Sequence, residues 1–482
     1  MSNASNVSGA NDGAYLYEDL AGDLASLVAK GTLRPGDRLP SVRQLSQQRK
    51  LSVSTVLQAY LLLENRGVVE TRPQSGHYVR PPRTSLVPEP RPPRNSTQAT
   101  RVTVSDLVAR VTGAARDPKI VPLGAATISP SLLPTERINR CMAAVAREAG
   151  GAGVAYDIPP GYLALRRQVA RRSADQGIAL RPDEIVTTVG AMEALHLCLR
   201  AVASAGDTIA VESPSYYGLL QLIEALGMRA LEIPANPGTG LDLDALDQSL
   251  KRHRVKACLA VTNFSNPVGA LMPDESKRAL VEMLARREIP LIEDDIYGDL
   301  HFDDVRPRPA KAFDKEGLVL LCSSFSKTIA PGYRVGYVAP GRFQERVERL
   351  KFAHTVATPT LPQMAVADFL ENGGYERHLR RLRRHLSEQV TRVSATIGER
   401  FPAGTRISRP SGGFVLWIEL PAGKSALELH ARALAAGISV APGPIFSAKQ
   451  RFANCLRVSC GFPWSDVLDR SIGTLARIAG EI

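Results

Sequence analysis

The chain has 482 residues, 44% of them hydrophobic and 5% aromatic, a length and composition that predict two or more globular domains and exclude a disordered protein. Its formal net charge of +12 permits a polyanionic partner without proving one. The six cysteines lie far apart without metal-ligand spacing, and the sequence suggests neither a signal peptide nor a membrane-spanning run. We therefore expect a cytoplasmic protein that binds no metal and no membrane.

Near the start of the chain, apolar residues such as Leu16 and Leu20 recur at helical spacing and predict a helix that ends near Gly31. The following segment, GTLRPGDRLPSVRQLSQQRKLSVSTVLQAYLLLENRGVVETRPQSGHYV, divides into a helix, a turn, a second helix and a hairpin. Ser41 and Ser52 are the predicted N-caps of these two helices. Apolar spacing turns four residues of the second helix inward: Val56, Ala59, Tyr60 and Leu63. Strands VVETR and GHYVR, joined at Pro-Gln-Ser, would form a wing.

The second of these helices is a candidate recognition helix. Ser54, Thr55 and Gln58 remain outward at its N-terminal half, where such a helix contacts base edges, and Gly67 ends it. Residues 34–83 hold nine Arg and Lys against three acids, an excess that suits phosphate contacts. A helical domain with a solvated basic face is the alternative interpretation of the same pattern.

Four segments of this region, PGDRLPSVRQL, SVSTVLQAY, LLENRGVV and RPQSGHYV, resemble the GntR family of winged helix-turn-helix regulators. The resemblance implies a winged helix-turn-helix (α+β) domain over residues 14–80 that binds double-stranded operator DNA. It also implies DNA contacts: Arg43 on the backbone, Ser52, Ser54 and Thr55 at the start of the recognition helix, and Arg72, Gly76 and His77 in the wing. Relatives often carry an arginine where this chain has Val53, so their operator sequences do not transfer.

A change of composition follows this region. The stretch RPPRTSLVPEPRPPRNSTQAT has many prolines and no apolar periodicity, which predicts a semi-extended linker, placed at residues 81–118. Beyond it, strand-like runs such as EIVTTV and LVLLCSS alternate with helical stretches such as AMEALHLCLRAVA. The alternation predicts an α/β domain over residues 119–482 with a mostly parallel sheet covered by helices.

Lys327 is the first candidate catalytic residue of this domain. It follows a buried strand in SSFSKTIAPGYRVGY, where burial and neighbouring cations would lower its pKa and favour a Schiff base. Ser324, Ser326 and Arg334 flank it with groups that can bind a phosphate. A lysine after a strand is by itself more often an ordinary surface lysine.

Acidic and polar residues occupy the ends of other predicted strands. Asp294, in PLIEDDIYGDL, lies where ligands bind in open α/β sheets, with Tyr297 three residues on. A surface acidic turn and a metal site are the alternatives for this segment, although adjacent side chains point apart, which weakens the metal site. Further candidates are the turn residue Asn266, the ring of Tyr216, and the phosphate-binding helix start at Gly190, Ala191 and Met192.

These pieces, in this order, resemble the fold-type I aminotransferases of class I and II, which use pyridoxal 5′-phosphate (PLP). The resemblance implies an imine on Lys327, a pyridine-nitrogen partner in Asp294, ring-oxygen partners in Asn266 and Tyr297, and a stacking residue in Tyr216. It implies that Gly190 to Met192, Ser324, Ser326 and Arg334 hold the phosphate and that Arg457 grips a substrate carboxylate. Tyr156 would enter the neighbouring subunit's site, so a homodimer is implied, with a smaller α+β subdomain in each chain.

A GntR-type head joined to an aminotransferase-like domain resembles the MocR subfamily of regulators. The resemblance implies a regulator that senses an amino acid, an amine or PLP through an external aldimine at Lys327. A working aminotransferase with a DNA-binding domain is the main alternative, and a regulator that has lost PLP is another. The basic run ERHLRRLRRHL, 376–386, is expected to be a solvated helix face with Leu379, Leu382 and Leu386 turned inward.

Overall fold

The computed structural model describes residues 12–29, 32–33, 36–65, 68–72, 75–79, 87–93, 98–113, 117 and 119–482. It divides the chain into two compact units, Met1–Leu86 and Val87–Ile482. The predicted helix ends at Gly31 and Gly67 and the turn residues Pro73 and Gln74 lie outside the described residues. No helix within the described ranges is long and apolar enough to cross a membrane.

The first unit has three described helices followed by a hairpin: α1 Asp12–Ala29, α2 Val42–Arg49, α3 Val53–Asn65, β1 Val69–Arg72 and β2 Gly76–Val79. Both predicted N-caps are confirmed. The Ser41 hydroxyl accepts the Gln44 amide at 3.2 Å, and the Ser52 hydroxyl accepts the Thr55 amide at 3.0 Å. Strands β1 and β2 pair antiparallel, with Val69 opposite Val79. The order helix, turn, helix and wing is therefore as predicted.

The core of this unit forms on the predicted face of α3. Val56, Ala59, Tyr60 and Leu63 are each 0% exposed and pack with apolar residues of α1, α2 and the wing. The Tyr60 hydroxyl donates to the Pro40 carbonyl at 2.7 Å, which satisfies its only polar atom in the core. Packing on this face leaves the opposite side of α3 exposed to solvent.

The second unit contains most of the described structure. Its helices are α4 Ser105–Gly113, α5 Thr135–Glu148, α6 Leu163–Asp175, α7 Gly190–Val202, α8 Tyr217–Ala225, α9 Leu243–Arg252, α10 Asp274–Ala285, α11 Gln344–Thr355, α12 Thr360–Asn372, α13 Tyr375–Arg400, α14 Ala426–Ala435 and α15 Asp466–Glu481. Its strands are β3 Thr100–Arg101, β4 Val186–Val189, β5 Thr208–Ser213, β6 Arg229–Asn236, β7 Gly240–Leu241, β8 Val255–Ala260, β9 Leu291–Asp294, β10 Val319–Ser324, β11 Val335–Ala339, β12 Arg406–Ile407, β13 Val415–Glu419, β14 Ala441–Pro442 and β15 Cys455–Ser459.

The large sheet confirms the predicted mostly parallel architecture. Among the described residues its order is β3-β6-β5-β8-β9-β10-β11-β4, with β7 paired to β6. Strands β6, β5, β8, β9 and β10 run parallel, whereas β11 is antiparallel to both of its neighbours. Every residue of β10 is buried, because helices cover both faces. A smaller antiparallel sheet, β12-β13-β15-β14, packs with α14 and α15 as the predicted second subdomain.

The segment predicted as linker, 81–118, differs from the structure at its C-terminal part. Strand β3 adds an antiparallel edge to β6, and α4 buries Leu107, Val108 and Val111 in the main core. The Glu224 carboxylate accepts the amides of Val104 and Ser105 at 2.9 and 3.0 Å and so holds the start of α4. These apolar residues are too few to stand out from the polar, proline-rich sequence before them. The second unit therefore begins well before residue 119.

Candidate functional site

The candidate cofactor site lies at the carboxyl ends of the central strands. Asp294 is the last residue of β9, and Ser324 is the last of the neighbouring parallel strand β10. Asn266 follows β8, and Gly190 opens α7 directly after β4. Since the crossovers return each parallel strand to the same direction, residues up to 134 positions apart, Gly190 and Ser324, reach one edge of the sheet.

Lys327 is half-buried at this edge. Its Nζ donates a hydrogen bond to the Ala126 carbonyl at 2.7 Å and lies 6.0 Å from the centre of the Phe414 ring. Burial and then the nearby Arg457 guanidinium lower the pKa of Lys327 to about 8, against the opposing effect of Asp294. The amine is therefore neutral far more often than an exposed lysine, as a nucleophilic lysine requires.

Asp294 is the carboxylate whose charge acts on Lys327. Its side chain is 6% exposed, and burial, followed by the charge of Asp295, raises its pKa to about 7. Its Oδ1 atom is buried and has no hydrogen-bond partner among the described residues. A buried carboxylate oxygen without a partner is costly, and the protonated pyridine nitrogen of PLP is a partner that would satisfy it.

The three adjacent acids Glu293, Asp294 and Asp295 make different contacts. Glu293 accepts the Thr262 hydroxyl at 2.5 Å, and Asp295 forms an ion pair with Arg306 at 2.6 Å. Of these three acids, Asp294 is the one whose charge acts on the pKa of Lys327. Throughout the part of the chain that the structure describes, no group of three or more His, Cys, Asp or Glu side chains is placed to hold a metal ion.

A chain of hydrogen bonds joins the predicted ring-oxygen and carboxylate-binding residues. The Asn266 amide donates to the Tyr297 hydroxyl at 3.2 Å, and Arg457 donates from Nη1 to the Asn266 side-chain oxygen at 2.9 Å. Arg457 also donates from Nη2 to the Gly124 carbonyl. The arginine is 0% exposed, and its Nε has no partner among the described residues. This buried cation therefore retains capacity for an anionic ligand.

The predicted phosphate-binding residues meet at the N-terminus of α7. Gly190 has a φ of +74°, and a Cβ there would lie 2.3 Å from Nη2 of Arg334. Arg334 donates to the Ser326 hydroxyl and to the Val189 carbonyl, both at 3.3 Å, and the Ser324 hydroxyl accepts the Ser326 amide at 3.3 Å. Ala191 and Met192 follow in the first turn of α7, whose free amides suit a phosphate. Only glycine leaves room for the guanidinium here.

Tyr216 and Tyr156 lie in contrasting surroundings. Burial, together with the neighbouring Tyr217 and Tyr297, raises the pKa of Tyr216, which immediately precedes α8 beside the site. Tyr156 is 82% exposed, and no hydrogen bond, ion pair or ring contact joins it to another candidate residue within the described part of the chain. The structure thus brings together every predicted cofactor residue except this one.

Sequence reasoning missed three groups that line the site. The Ala126 and Gly124 carbonyls hold the Lys327 amine and the Arg457 guanidinium, and the Phe414 ring lies beside the lysine. The two carbonyls carry no side-chain signal. The glycine pair before Phe414 was the available clue, because a close approach of the backbone often requires glycine.

The predicted DNA contacts of α2 and α3 lie on an exposed surface. Arg43 and Ser54 are exposed and Thr55 is half-buried. The Ser52 hydroxyl is 2.8 Å from the Ser54 hydroxyl and 2.7 Å from the Thr55 hydroxyl, so three hydroxyls cluster at the start of α3. These groups can exchange their mutual bonds for bonds to DNA.

The wing residues are more constrained than the sequence suggested. Arg72 forms an ion pair with Glu70 at 2.8 Å, and its guanidinium stacks over the Tyr78 ring at 4.3 Å. His77 packs against the Tyr60 ring with centroids 4.5 Å apart. Gly76 has a φ of +110°. Arg72 would have to exchange these contacts in order to bind DNA.

The fold and the site define two classes of protein in one chain: a winged helix-turn-helix unit, and a fold-type I unit with the residues of an aminotransferase. Family models agree. Residues 16–79 match the bacterial regulatory proteins of the gntR family, and residues 131–467 match aminotransferase class I and II. The chain belongs to the MocR type of GntR-family transcription regulators, a DNA-binding regulator fused to an aminotransferase-like domain.

Relatives match both the whole chain and its second unit. The HTH-type transcriptional regulator YdcR of Escherichia coli is 39% identical over 96% of this chain and 99% of its own length. The 2-aminoadipate transaminase of Thermus thermophilus is 34% identical over 71% of this chain and 85% of its own. Among solved structures, α-aminoadipate aminotransferase LysN from that organism, complexed with N-(5′-phosphopyridoxyl)-L-leucine, has a TM-score of 0.71 at 29% identity and covers 79% of this chain and 99% of its own. The family and these neighbours imply PLP.

Proposed function

We propose that this regulator binds PLP and senses an amino acid or an amine, or PLP itself, by exchange of the imine on Lys327. The observation that carries the proposal is the pair formed by Lys327, with its lowered pKa, and Asp294, whose buried Oδ1 lacks a partner among the described residues. PLP would supply an electrophilic imine carbon and an electron-withdrawing ring. Because the same chain carries a DNA-binding unit, we expect this chemistry to regulate transcription rather than to serve metabolism.

Each candidate residue has one task toward PLP. Asp294 would hold the pyridine nitrogen protonated, and Asn266 with Tyr297 would bind the ring oxygen. Tyr216 would stack on the ring. The phosphate would be held by the residues at the start of α7 and after β10: Gly190, Ala191, Met192, Ser324, Ser326 and Arg334. The Gly190 and Arg334 packing supports this assignment, because it presents backbone amides and a guanidinium together.

The effector would be recognised by its amine and, where it has one, by its carboxylate. Its amine would displace the Lys327 amine, which the Ala126 carbonyl then retains by a hydrogen bond. Arg457 would bind the carboxylate, because it is buried, oriented by Asn266 and Gly124, and has an Nε that no described residue satisfies. An effector with no carboxylate would lose this interaction.

A homodimer is part of the proposal. Tyr156 would enter the partner subunit's site, which agrees with its 82% exposure in a segment that also exposes Val154 at 89% and Ile158 at 55%. Several exposed apolar side chains in one short segment favour a protein interface. The protein would thus act as a dimer whose two sites each need both chains.

The DNA contacts are proposed to follow the GntR pattern. Arg43 would bind the phosphate backbone, and the hydroxyls of Ser52, Ser54 and Thr55 would contact the major groove. The wing residues Arg72, Gly76 and His77 would contact the adjacent backbone once Arg72 leaves Glu70. Arg43→Ala is then expected to weaken binding to all DNA sequences and to reduce the salt dependence, whereas a loss confined to one sequence would contradict a backbone role.

The start of the second unit offers a route from the effector to the DNA-reading unit. Residues 87–91 are bound to the smaller sheet by four hydrogen bonds, between Ile407 and Pro88, Arg91 and Glu419, Arg409 and Val87, and Arg406 and Glu89. Closure of the small subdomain on the effector would therefore move the end of the linker. The effector can shift the DNA-binding equilibrium only by its differential affinity for the two states.

A working aminotransferase is the second candidate function. The specific observation in its favour is that Lys327 and Arg457 occur in the same site as Asp294, a set that would serve turnover as well as sensing. Single-turnover absorbance spectroscopy with a panel of amino acids and amines separates the two. A sensor gives a stable new spectrum with Lys327 displaced, whereas an aminotransferase converts the cofactor rapidly to pyridoxamine phosphate.

Lys327→Ala is the control for this experiment, since it removes the imine partner and leaves the remaining contacts. The variant is expected to lack the absorbance band of a lysine imine when PLP is added. A band that survives in Lys327→Ala would overturn the assignment of the anchor. Rapid pyridoxamine formation by the unmodified chain would favour the enzyme over the sensor.

A further inference from the structure

A second cavity, of about 560 Å³, lies in the second unit at the start of α5 and α13. No residue assigned above to PLP or its ligand lines it. The charged and titratable groups around it are predominantly cationic: Arg137, Arg140, Arg377, Arg381, His378 and Glu136. Four guanidinium groups facing one concave space raise the local concentration of anions.

These arginines lack ion-pair partners among the described residues. Among the described residues, none of the four forms an ion pair, although arginines elsewhere in the unit do, such as Arg172 and Arg400. The acid in the first turn of α13, Glu376, is bound to Arg172 at 2.6 Å. Glu136 also lines the cavity but forms no ion pair with any of the four arginines among the described residues, and all four are exposed to solvent. Their excess positive charge therefore favours binding of an anion from solution.

Arg137 brings the two helices of the cavity together. A Cβ on Gly374, which has a φ of +72°, would lie 2.9 Å from Nη1 of Arg137. The guanidinium on α5 thus lies against the residue that precedes α13. The start of α5 and the start of α13 therefore line the cavity together.

His378 connects this cavity to Thr328, the residue that follows Lys327. Its ring is 6% exposed, and its Nε2 donates to the Thr328 carbonyl at 2.7 Å. Its Nδ1 is buried and lacks a partner among the described residues. Thr328 follows Lys327 directly, and its hydroxyl also accepts the Tyr375 hydroxyl at 2.9 Å. The first turn of α13 is thus bonded at two points to the residue beside the candidate anchor.

We propose that this cavity binds a small phosphorylated ligand through Arg137, Arg140, Arg377 and Arg381, at a site separate from that of PLP. Guanidinium forks match phosphate oxygens, and the volume lies in the range of small-molecule sites. The concave shape favours a small ligand over the DNA backbone. Occupancy would order the start of α13 and, through His378, the segment at Thr328. The proposal does not depend on the function proposed above.

The experiment uses inorganic pyrophosphate as the probe, titrated by calorimetry into the full-length chain saturated with PLP. The test variant is R377Q/R381Q. The matched control is R380Q/R384Q, which removes the same charge from exposed positions of the same helix that do not line the cavity. We expect saturable binding that weakens by about tenfold or more in the test variant and by less than about twofold in the control.

Two results would overturn the proposal. The first is the absence of saturable pyrophosphate binding; if R377Q/R381Q then also loses affinity for random-sequence DNA selectively, the surface is a DNA contact. The second is an equal loss of pyrophosphate affinity in both variants, which would indicate non-specific attraction. Circular dichroism establishes that both variants are folded. Hydrogen exchange should slow at residues 374–381 and 326–330 when pyrophosphate binds, and unchanged exchange at 374–381 would contradict occupancy of the cavity.

Discussion

Replacing Asp294 by Asn tests the electrostatics of the candidate cofactor site in the PLP-free chain. The carboxyl is 6% exposed, and its pKa is raised from 3.8 to about 7 by burial and by Asp295. At about 1.36 kcal/mol per pKa unit, ionising this group in the folded state costs up to about 4 kcal/mol at pH 8. Asn has nearly the same shape and keeps an oxygen that can accept the Ile296 amide, but it carries no charge to bury. The variant should therefore be more stable than the parent.

The sign of the pH dependence follows from the raised pKa. Between pH 4 and pH 7 the unfolded chain releases the Asp294 proton while the folded chain retains it, so the folded state loses stability as pH rises through this window. We expect the advantage of Asp294→Asn to be roughly 1 to 4 kcal/mol at pH 8 and to shrink by more than half at pH 5.

Urea unfolding followed by tryptophan fluorescence measures this difference. Both tryptophans of the chain, Trp417 and Trp464, lie in the second unit, so the signal reports only on the unit that contains Asp294. When PLP is present the order should reverse, because the variant loses a charge-assisted bond and binds PLP about tenfold or more weakly. Two results would refute the reasoning: an Asn variant that is no more stable than the parent at pH 8, or a stability advantage at pH 5 that is as large as the one at pH 8.

Three further substitutions probe other parts of the structure. Gly190→Ala should weaken PLP binding by about tenfold or more while the fold persists, because its Cβ would displace the guanidinium of Arg334; equilibrium dialysis of PLP checks this, and unchanged affinity would contradict it. Ser52→Ala removes the cap of α3 and should cost about 1 kcal/mol of stability in the first unit, measured by hydrogen exchange in α3. Lys351→Met leaves the Glu193 carboxylate buried without the ion pair that it makes at 2.8 Å, and should destabilise the second unit by about 3 to 5 kcal/mol in urea; a loss below about 1 kcal/mol would contradict this.

The elements that sequence predicted well are those with strong local patterns. The inward face of α3 followed from a spacing of three and four residues, and the buried strand before Ser324 from a continuous apolar run. Lys327 and Asp294 were identified because each lies beside such a strand in a distinctive motif. Patterns of this kind depend on neighbouring residues alone, so they are visible before any tertiary contact is known.

What sequence missed depends on distant contacts or on the backbone. Strand β3 and α4 were assigned to the linker because they have few apolar residues, and their structural role depends on tertiary contacts with β6 and α8. The Ala126 carbonyl reaches Lys327 across 201 residues and carries no side-chain signal. The pairing of Glu70 with Arg72 was in principle predictable, because residues two apart in a strand share a face. The basic run 376–386 followed from its local pattern and is as predicted: Arg377, Arg380, Arg381 and Arg384 are exposed, and Leu379, Leu382 and Leu386 are buried.

The central claim, that exchange at Lys327 controls DNA binding, is tested most directly by measuring DNA affinity against an effector panel. DNA fragments selected from a random pool by the PLP-bound chain are titrated in the presence of amino acids and amines. At least one compound that displaces Lys327 in the absorbance spectrum should change the DNA affinity by about fivefold or more, and Lys327→Ala should lose that response. If no compound that displaces the lysine alters DNA affinity, or if Lys327→Ala keeps the full response, the claim is contradicted.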